Sequence, residues 1–406
     1  MTHSVRFSGS WSVCPTSLDA RSARFNPAEA FAVPERRHLQ PFLYPENPYW
    51  GKHVREMNHH GWLYEYAFSV PNVQFSRACL RFEGVDYFAA VWLNDTLLGH
   101  HEGHFNAFTF EATHALKRDA QNYLRVHVSS PWDVVNPRGT YPLDHVLRNL
   151  VKGLYEHGEG VLPPDVNPLG IWRPVWLVLD DGMSIDSVQI RAEMDGTLQL
   201  QASISSTIEW SGELALEVSA ENHDGAGAVE NVPVTITPGV QTVAYQMKMS
   251  APQLWWSWDH GQPHLYRLTA RLGETRHSET FGFRSVRLER SRERFTYWLN
   301  ERPVYIRGTS YMSGIYLSQH DRDSLARDVS LAQKANLNLL RVHVHVSPAE
   351  LYDICDRAGM LVWQDFELNW MQETTVEFET RARRLQRDML SQLGNHPKHY
   401  HLGLPQ

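Results

Sequence analysis

Only three cysteines occur in the 406 residues, Cys14, Cys79 and Cys355, far apart and odd in number. With no CxxC pair among them, neither a disulfide framework nor a thiolate zinc site is indicated, and all three read as small buried apolar residues. Basic charge is scarce too: 38 Lys and Arg against 46 Asp and Glu leave a net charge of -8. A chain of this balance has no cationic surface to release counterions from a polyanion, so nucleic acid is excluded as the expected partner. Long apolar runs are missing. Nothing approaches the ~20 residues that span a bilayer. The opening MTHSVRFSGSWSVCP alternates polar and apolar residues where a secretory signal would be continuously apolar. The expectation is a soluble, cytoplasmic protein with no membrane partner.

What is present is ordinary in bulk. Hydrophobic residues at 42% and charged residues at 21% suit a globular chain, and the length allows two or three domains with cores of their own. The unusual figure is the aromatic load of 14 Trp, 16 Tyr and 16 Phe. Aromatic rings pack on the C–H face of a pyranose, so this abundance fits a sugar-binding cleft. It fits a β-sandwich core too, the reading that composition alone favours.

Period-two alternation dominates from Trp62 to Val128: Trp62–Val70, Ala78–Phe82, Tyr87–Leu93, Phe108–Phe110 and Tyr123–Val128 read as strands, with turn chemistry at Asn94-Asp95. No helical period interrupts them, which predicts an all-β jelly roll or similar sandwich over residues 1–182. A long loop rich in Pro, Gly and Asn lies between Ser129 and Pro174, and loops of that length inside a domain are functional or disordered. A second block of short strands, among them Val188–Ala192, Leu198–Ala202, Leu214–Val218, Val234–Ile236 and Tyr266–Ala270, suits an immunoglobulin-like sandwich over 183–288.

Beyond residue 289 the pattern changes to strand, helix, strand. Val304–Ile306 reads as a strand, Asp323–Ala335 as a helix with Leu325, Val329 and Ala332 inward, and Asn338–Val346 as the next strand. Ser347-Pro-Ala-Glu350 has the form of a capping box opening a helix that Gly359 ends; Met360–Trp363 is a third strand and Val376–Leu393 a third helix closed by Gly394. This predicts the first three units of an incomplete TIM (β/α)8 barrel over 289–406. Working residues of such a barrel sit at the C-terminal strand ends. The second strand offers Arg341, His343 and His345, and the third offers Trp363, Asp365 and Glu367. His343 and His345 have the spacing of a metal pair but lack an identifiable third ligand, so no metal or other cofactor is expected. Asp365 and Glu367 are too close on one strand to flank a glycosidic bond as an acid/base pair, which needs ~5 Å or more between carboxyls on opposite sides.

Several strings together resemble the family 2 glycoside hydrolases: Leu80-Arg-Phe-Glu-Gly-Val-Asp-Tyr87, Val91-Trp-Leu-Asn94, Gly99-His-His-Glu-Gly103, Phe105-Asn-Ala-Phe108, Gly170-Ile-Trp-Arg-Pro-Val175, Leu254–Tyr266, Phe281-Gly-Phe-Arg284, Leu299–Gly308, Asn336–Arg341 and Tyr352–Phe366. The string Trp363-Gln-Asp-Phe366 is most similar to the β-mannosidase-like branch, although Arg341 is followed here by Val-His-Val-His where that branch has a Val, a Trp and a glycine run. The resemblance implies a retaining exo-β-glycosidase, with one Glu as acid/base and another as nucleophile. It also implies that Arg341, His343, Trp363, Asp365 and Trp370 line the pocket for the terminal sugar and that Asp165 on the long loop binds a hydroxyl. The acid/base Glu of that family follows an Asn-His-Pro segment, present here as Asn395-His-Pro397, but Lys398–Gln406 has neither a strand pattern nor a Glu. The expectation is therefore a truncated or frameshifted end, no catalytic residue within the chain, no hydrolysis by it alone, and self-association through the incomplete barrel. A non-catalytic carbohydrate-binding protein is the alternative.

Overall fold

The computed structural model describes residues 2–49, 51–130, 134–135, 145–146, 167–292, 295–368, 375–397 and 399–403. Most of the long loop from Ser129 to Pro174, with Asp165, lies outside them, as does Trp370.

Two antiparallel sheets form the first β body. One runs in the order His3–Arg6, Val175–Asp180, Arg77–Phe82, Phe108–Glu111; the other Phe31–Val33, Trp11–Thr16, Gly61–Phe68, Asn122–Ser129, Phe88–Leu93, Thr96–Glu102. Alternation explains the layering. Leu124, Val126 and Val128 face a core shared with Trp11, Tyr64, Leu80, Phe82, Val91 and Leu177, while Arg125 and Tyr123 face outward. Asn94 and Asp95 take φ values of 49° and 71°, the left-handed pair that a two-residue hairpin requires between the last two strands. The all-β expectation is corrected by two short helices, Leu39–Leu43 and Lys52–Glu56, each too short to register as a helical period.

The second β body pairs a three-stranded sheet, Met183–Ala192, Thr197–Ser206, Gly239–Lys248, with a four-stranded one, Ala228–Ile236, Trp210–Ala220, Tyr266–Leu272, Thr275–Phe281. Val188, Leu198, Leu200, Leu214, Leu216, Leu268 and Phe281 fill the space between them.

A small antiparallel sheet, Val286–Arg290, Phe295–Leu299 and Arg302–Val304, then leads into a parallel one. Its elements are β1 (Gly308–Tyr311), α1 (Arg322–Lys334), β2 (Leu339–Val342), α2 (Ala349–Ala358), β3 (Leu361–Asp365), α3 (Val376–Leu393) and β4 (His399–Gly403), with strand order β1-β2-β3-β4. The opening strand differs from the sequence expectation. Val304 pairs with Tyr297 in the antiparallel sheet and Tyr305 is 79% exposed, while the more polar Gly-Thr-Ser-Tyr run makes the first parallel strand. Gly308 is needed there because a Cβ would press on Leu339 of the neighbouring strand. The tail is a second correction: His399–Gly403 pairs in parallel with β3 despite lacking an apolar run.

Helix α1 follows the predicted face. Leu325, Val329 and Ala332 of α1 are buried, Asp321 caps it by accepting the Ser324 N–H at 2.8 Å, and Gly359 ends α2 at φ 66°. The capping box at Ser347 does not form. Glu350 turns instead to Arg173, with Nη1 2.7 Å from Oε2, and the Ser347 hydroxyl meets His345 Nε2 at 2.8 Å. Among the described residues no helix is long and apolar enough to cross a membrane.

Candidate functional site

β2 and β3 have two faces. Leu340, Val342 and Val362 join the core under the helices, while Leu339 and Leu361 pack on the other side with Trp255, Tyr297, Leu299 and Val304. Period-two alternation therefore carries Arg341 and Asp365 onto the face away from the helices, at the C-terminal ends of their strands. There they meet. Arg341 Nε donates to Asp365 Oδ2 at 2.9 Å, Arg341 Nη2 lies 2.8 Å from the same oxygen, and His343 Nδ1 is 3.1 Å from it. All three contacts converge on Oδ2; Oδ1 takes none of them. The Arg341 side chain is 44% exposed and that of Asp365 12%, so the carboxylate is sheltered while the guanidinium reaches solvent. A rigid carboxylate–guanidinium pair beside an imidazole offers acceptors and donors at fixed separation, the chemistry that reads adjacent hydroxyls.

Trp363 lies directly across from Arg341 in the sheet, half-buried, its ring edge-on to Tyr297 at 6.4 Å. It is one residue layer below Asp365, on the same face. Of the six residues marked from sequence, the structure brings together Arg341, His343 and Asp365, puts Trp363 beneath them, and leaves Asp165 and Trp370 outside the described residues.

The two histidines do not act as a pair. Val344 between them has φ 51°, which breaks strand alternation. His343 consequently faces Asp365, while His345, 2% exposed, is held between Ser313 Oγ at 3.1 Å and Ser347 Oγ at 2.8 Å. Among the described residues no cluster of three or more His, Cys, Asp or Glu side chains is arranged to hold a metal. Glu367 likewise parts from Asp365: β3 ends at Asp365, and Glu367, 3% exposed, lies 3.2 Å from His104 Nε2.

Beneath the strand ends runs a polar network not identified from the sequence. Tyr352 donates its hydroxyl proton to Gln364 Oε1 at 2.6 Å, and the Gln364 amide donates to the His345 and Asp365 carbonyls at 2.6 and 2.7 Å. Burial pushes the Tyr352 phenol well above its usual range, so it remains a donor. One signal was available: a glutamine on the helix-facing side of an otherwise apolar strand has to find partners. His104 had none, because it reaches Glu367 from another sheet. For the Glu350 carboxyl behind α2, burial acts upward and Arg173 more than reverses it, leaving it below the ordinary range.

Residues 37–173 match the family model described as "Glycosyl hydrolase 2 galactose-binding domain-like", and residues 183–284 match "Glycosyl hydrolases family 2". The chain is 24% identical over 328 residues to a beta-galactosidase of Thermoanaerobacter pseudethanolicus, covering 78% of this chain and 40% of that protein. It is 25% identical over 384 residues to beta-mannosidase B of Thermothelomyces thermophilus, covering 86% and 43%. The chain thus spans about two fifths of the length of these curated relatives. Among solved structures, the beta-D-mannosidase of Dictyoglomus thermophilum superposes with a TM-score of 0.81 at 20% identity, covering 98% of this chain and 51% of that one. Beta-glucuronidase 2 of Bacteroides uniformis, covalently bound to cyclophellitol-6-carboxylate aziridine, gives 0.76 at 19% identity, covering 100% and 47%.

Proposed function

Because this chain belongs to glycoside hydrolase family 2, we propose that it supplies the two β bodies and the sugar-recognition edge of a retaining exo-β-glycosidase, with β1 to β4 as the opening of a (β/α)8 barrel. The observation that carries this is the convergence of Arg341 and His343 on one oxygen of Asp365, with Oδ1 outside those three contacts. A terminal β-linked pyranose is the substrate class, and a β-mannoside is the favoured member given the relatives that are beta-mannosidases.

Recognition and bond cleavage separate in this chain. Retaining hydrolysis needs two carboxyls ~5–5.5 Å apart on either side of the anomeric centre. At the strand ends the described carboxylates are Asp365, engaged by Arg341 and His343, and Glu367, buried against His104 and the Val346 N–H. Both carboxyls are thus engaged by neighbouring groups, which supports the reading that this chain recognises the sugar without itself cleaving the bond. Incubation of the purified chain with p-nitrophenyl β-mannoside, β-galactoside and β-glucosaminide tests this. The reading requires no release above a mock preparation from the same host; robust release that follows the protein through purification contradicts it.

A second reading, carbohydrate held on the first β body, is favoured by one feature. A pocket of about 400 Å³ on the outer face of the six-stranded sheet is lined by Phe25, Leu63, Trp92, Asp95, Leu97 and Arg125. Arg125 is fixed there by Glu65 at 2.7 Å and Asp95 at 2.8 Å. Substituting Trp92 separates this reading from the first.

A further inference from the structure

The turn after strand Thr96–Glu102 leaves its own sandwich. Glu102 accepts from Arg381 Nε at 2.7 Å and from Arg384 Nη2 at 2.8 Å, both on α3. Phe105, 3% exposed, belongs to the core of the parallel sheet with Leu340, Val346, Phe366 and Leu385. Asn106 donates to Asp388 of α3 at 2.8 Å. Gly103 makes the turn at φ 128°, where a side chain would be strained and its Cβ would run into Asn106.

Between these anchors stands His104, with no exposed surface. Its carbonyl accepts the Trp172 indole N–H at 2.7 Å. Its Nε2 lies 3.2 Å from Glu367 Oε1 and 3.4 Å from the Val346 carbonyl, and Glu367 Oε1 also accepts the Val346 N–H at 3.3 Å. In sequence, Glu367 follows Asp365 by two residues and Val346 follows His343 by three. One imidazole from the first β body therefore holds both segments that leave β2 and β3 carrying the candidate site.

We propose that His104 is a positioning residue for the Arg341–His343–Asp365 site, acting through Glu367 and Val346. Only the site's meaning as a sugar pocket rests on the function proposed above; the positioning does not. Two segments leaving parallel strands are free to splay; the Val346 N–H already ties them through Glu367, and a buried imidazole touching both Glu367 and the Val346 carbonyl adds a second tie that fixes their separation where water cannot compete for the bond. A site that must hold hydroxyls by several simultaneous hydrogen bonds depends on that separation.

The test uses the full chain. In the double variant His104→Phe/Glu367→Met both side chains become apolar at similar volume, so no buried charge is left alone, and the Val346 N–H and carbonyl lose these contacts. The readout is the His343 ring proton in isotope-labelled protein, whose exchange in the wild type the Asp365 carboxylate, 3.1 Å from Nδ1, is expected to slow. The double variant should keep its circular dichroism and lose that slow exchange. His104→Gln, which retains a side-chain N–H, should keep both. A folded double variant with an unchanged His343 proton overturns the proposal. Should the double variant not fold, His104→Gln is compared with His104→Asn, whose shorter amide does not bridge; retention of the proton in both overturns it equally. Where a methyl β-glycoside binds the wild type, its affinity should fall about tenfold or more with loss of the bridge. Where none binds, the sugar reading fails and the ring-proton comparison still decides the positioning.

Discussion

Ile190 and Asn395 meet across the junction between the second sandwich and the parallel sheet: the Ile190 N–H donates to Asn395 Oδ1 at 2.8 Å, and the Asn395 amide donates back to the Val188 carbonyl at 2.7 Å. Met183–Ala192 is an edge strand, and Asn395 satisfies backbone groups that such an edge leaves open. The next two residues are tied as well. His396 Nδ1 lies 2.5 Å from Asp356 Oδ2, and the Pro397 carbonyl accepts from Arg284. The Asn-His-Pro segment is thus a clasp between sheets in this structure. Replacing Asn395 with Ala removes two hydrogen bonds and should lower stability by about 1–3 kcal/mol in urea unfolding followed by tryptophan fluorescence.

The network under the strand ends makes a sharper demand. Gln364 is fully buried and serves Tyr352 and the His345 and Asp365 carbonyls. Gln364→Leu strands those polar groups without water and should cost about 3 kcal/mol or more. Calorimetry of the variant should show the loss, together with perturbed His345 ring signals.

Acid sensitivity follows from Asp259, which accepts from Arg307 at 2.8 Å and from Asn338 at 2.9 Å. Burial acts to raise its carboxyl, but hydrogen bonds from His260, Asn338, Ser257 and Arg307 outweigh it and hold the group at about 2 against an ordinary value of 3.8. A carboxyl depressed in the folded state stabilises above its unfolded value and loses that contribution as pH falls through the folded one. Stability should decline by about 2 kcal/mol between about pH 4 and pH 2 from this group. Asp259→Asn should flatten that part of the stability profile in urea titrations across the range.

How much of this was legible in the residues depends on how local each feature is. The strand at Asn122–Ser129, helix α1 and the αL stop at Gly359 follow from alternation, the spacing of Leu325, Val329 and Ala332, and glycine chemistry, all readable within one segment. So does the meeting of Arg341 with Asp365, because parallel neighbours in register put both on one face. Three features did not follow. β1 is built from Gly-Thr-Ser-Tyr, whose first three residues are exposed and show no apolar alternation. The divergence of His343 from His345 turns on one φ angle at Val344, which a β-branched residue rarely adopts. The bridge from His104 to Glu367 joins positions 263 residues apart in sequence, and no local pattern announces such a contact.

The most direct test of the account is titration calorimetry of methyl β-D-mannopyranoside into the wild-type chain, Asp365→Ala and Trp92→Ala. Binding to the wild type is expected, lost in Asp365→Ala and kept in Trp92→Ala. Binding that survives the loss of Asp365 and disappears with Trp92 would contradict it and put the sugar on the first β body.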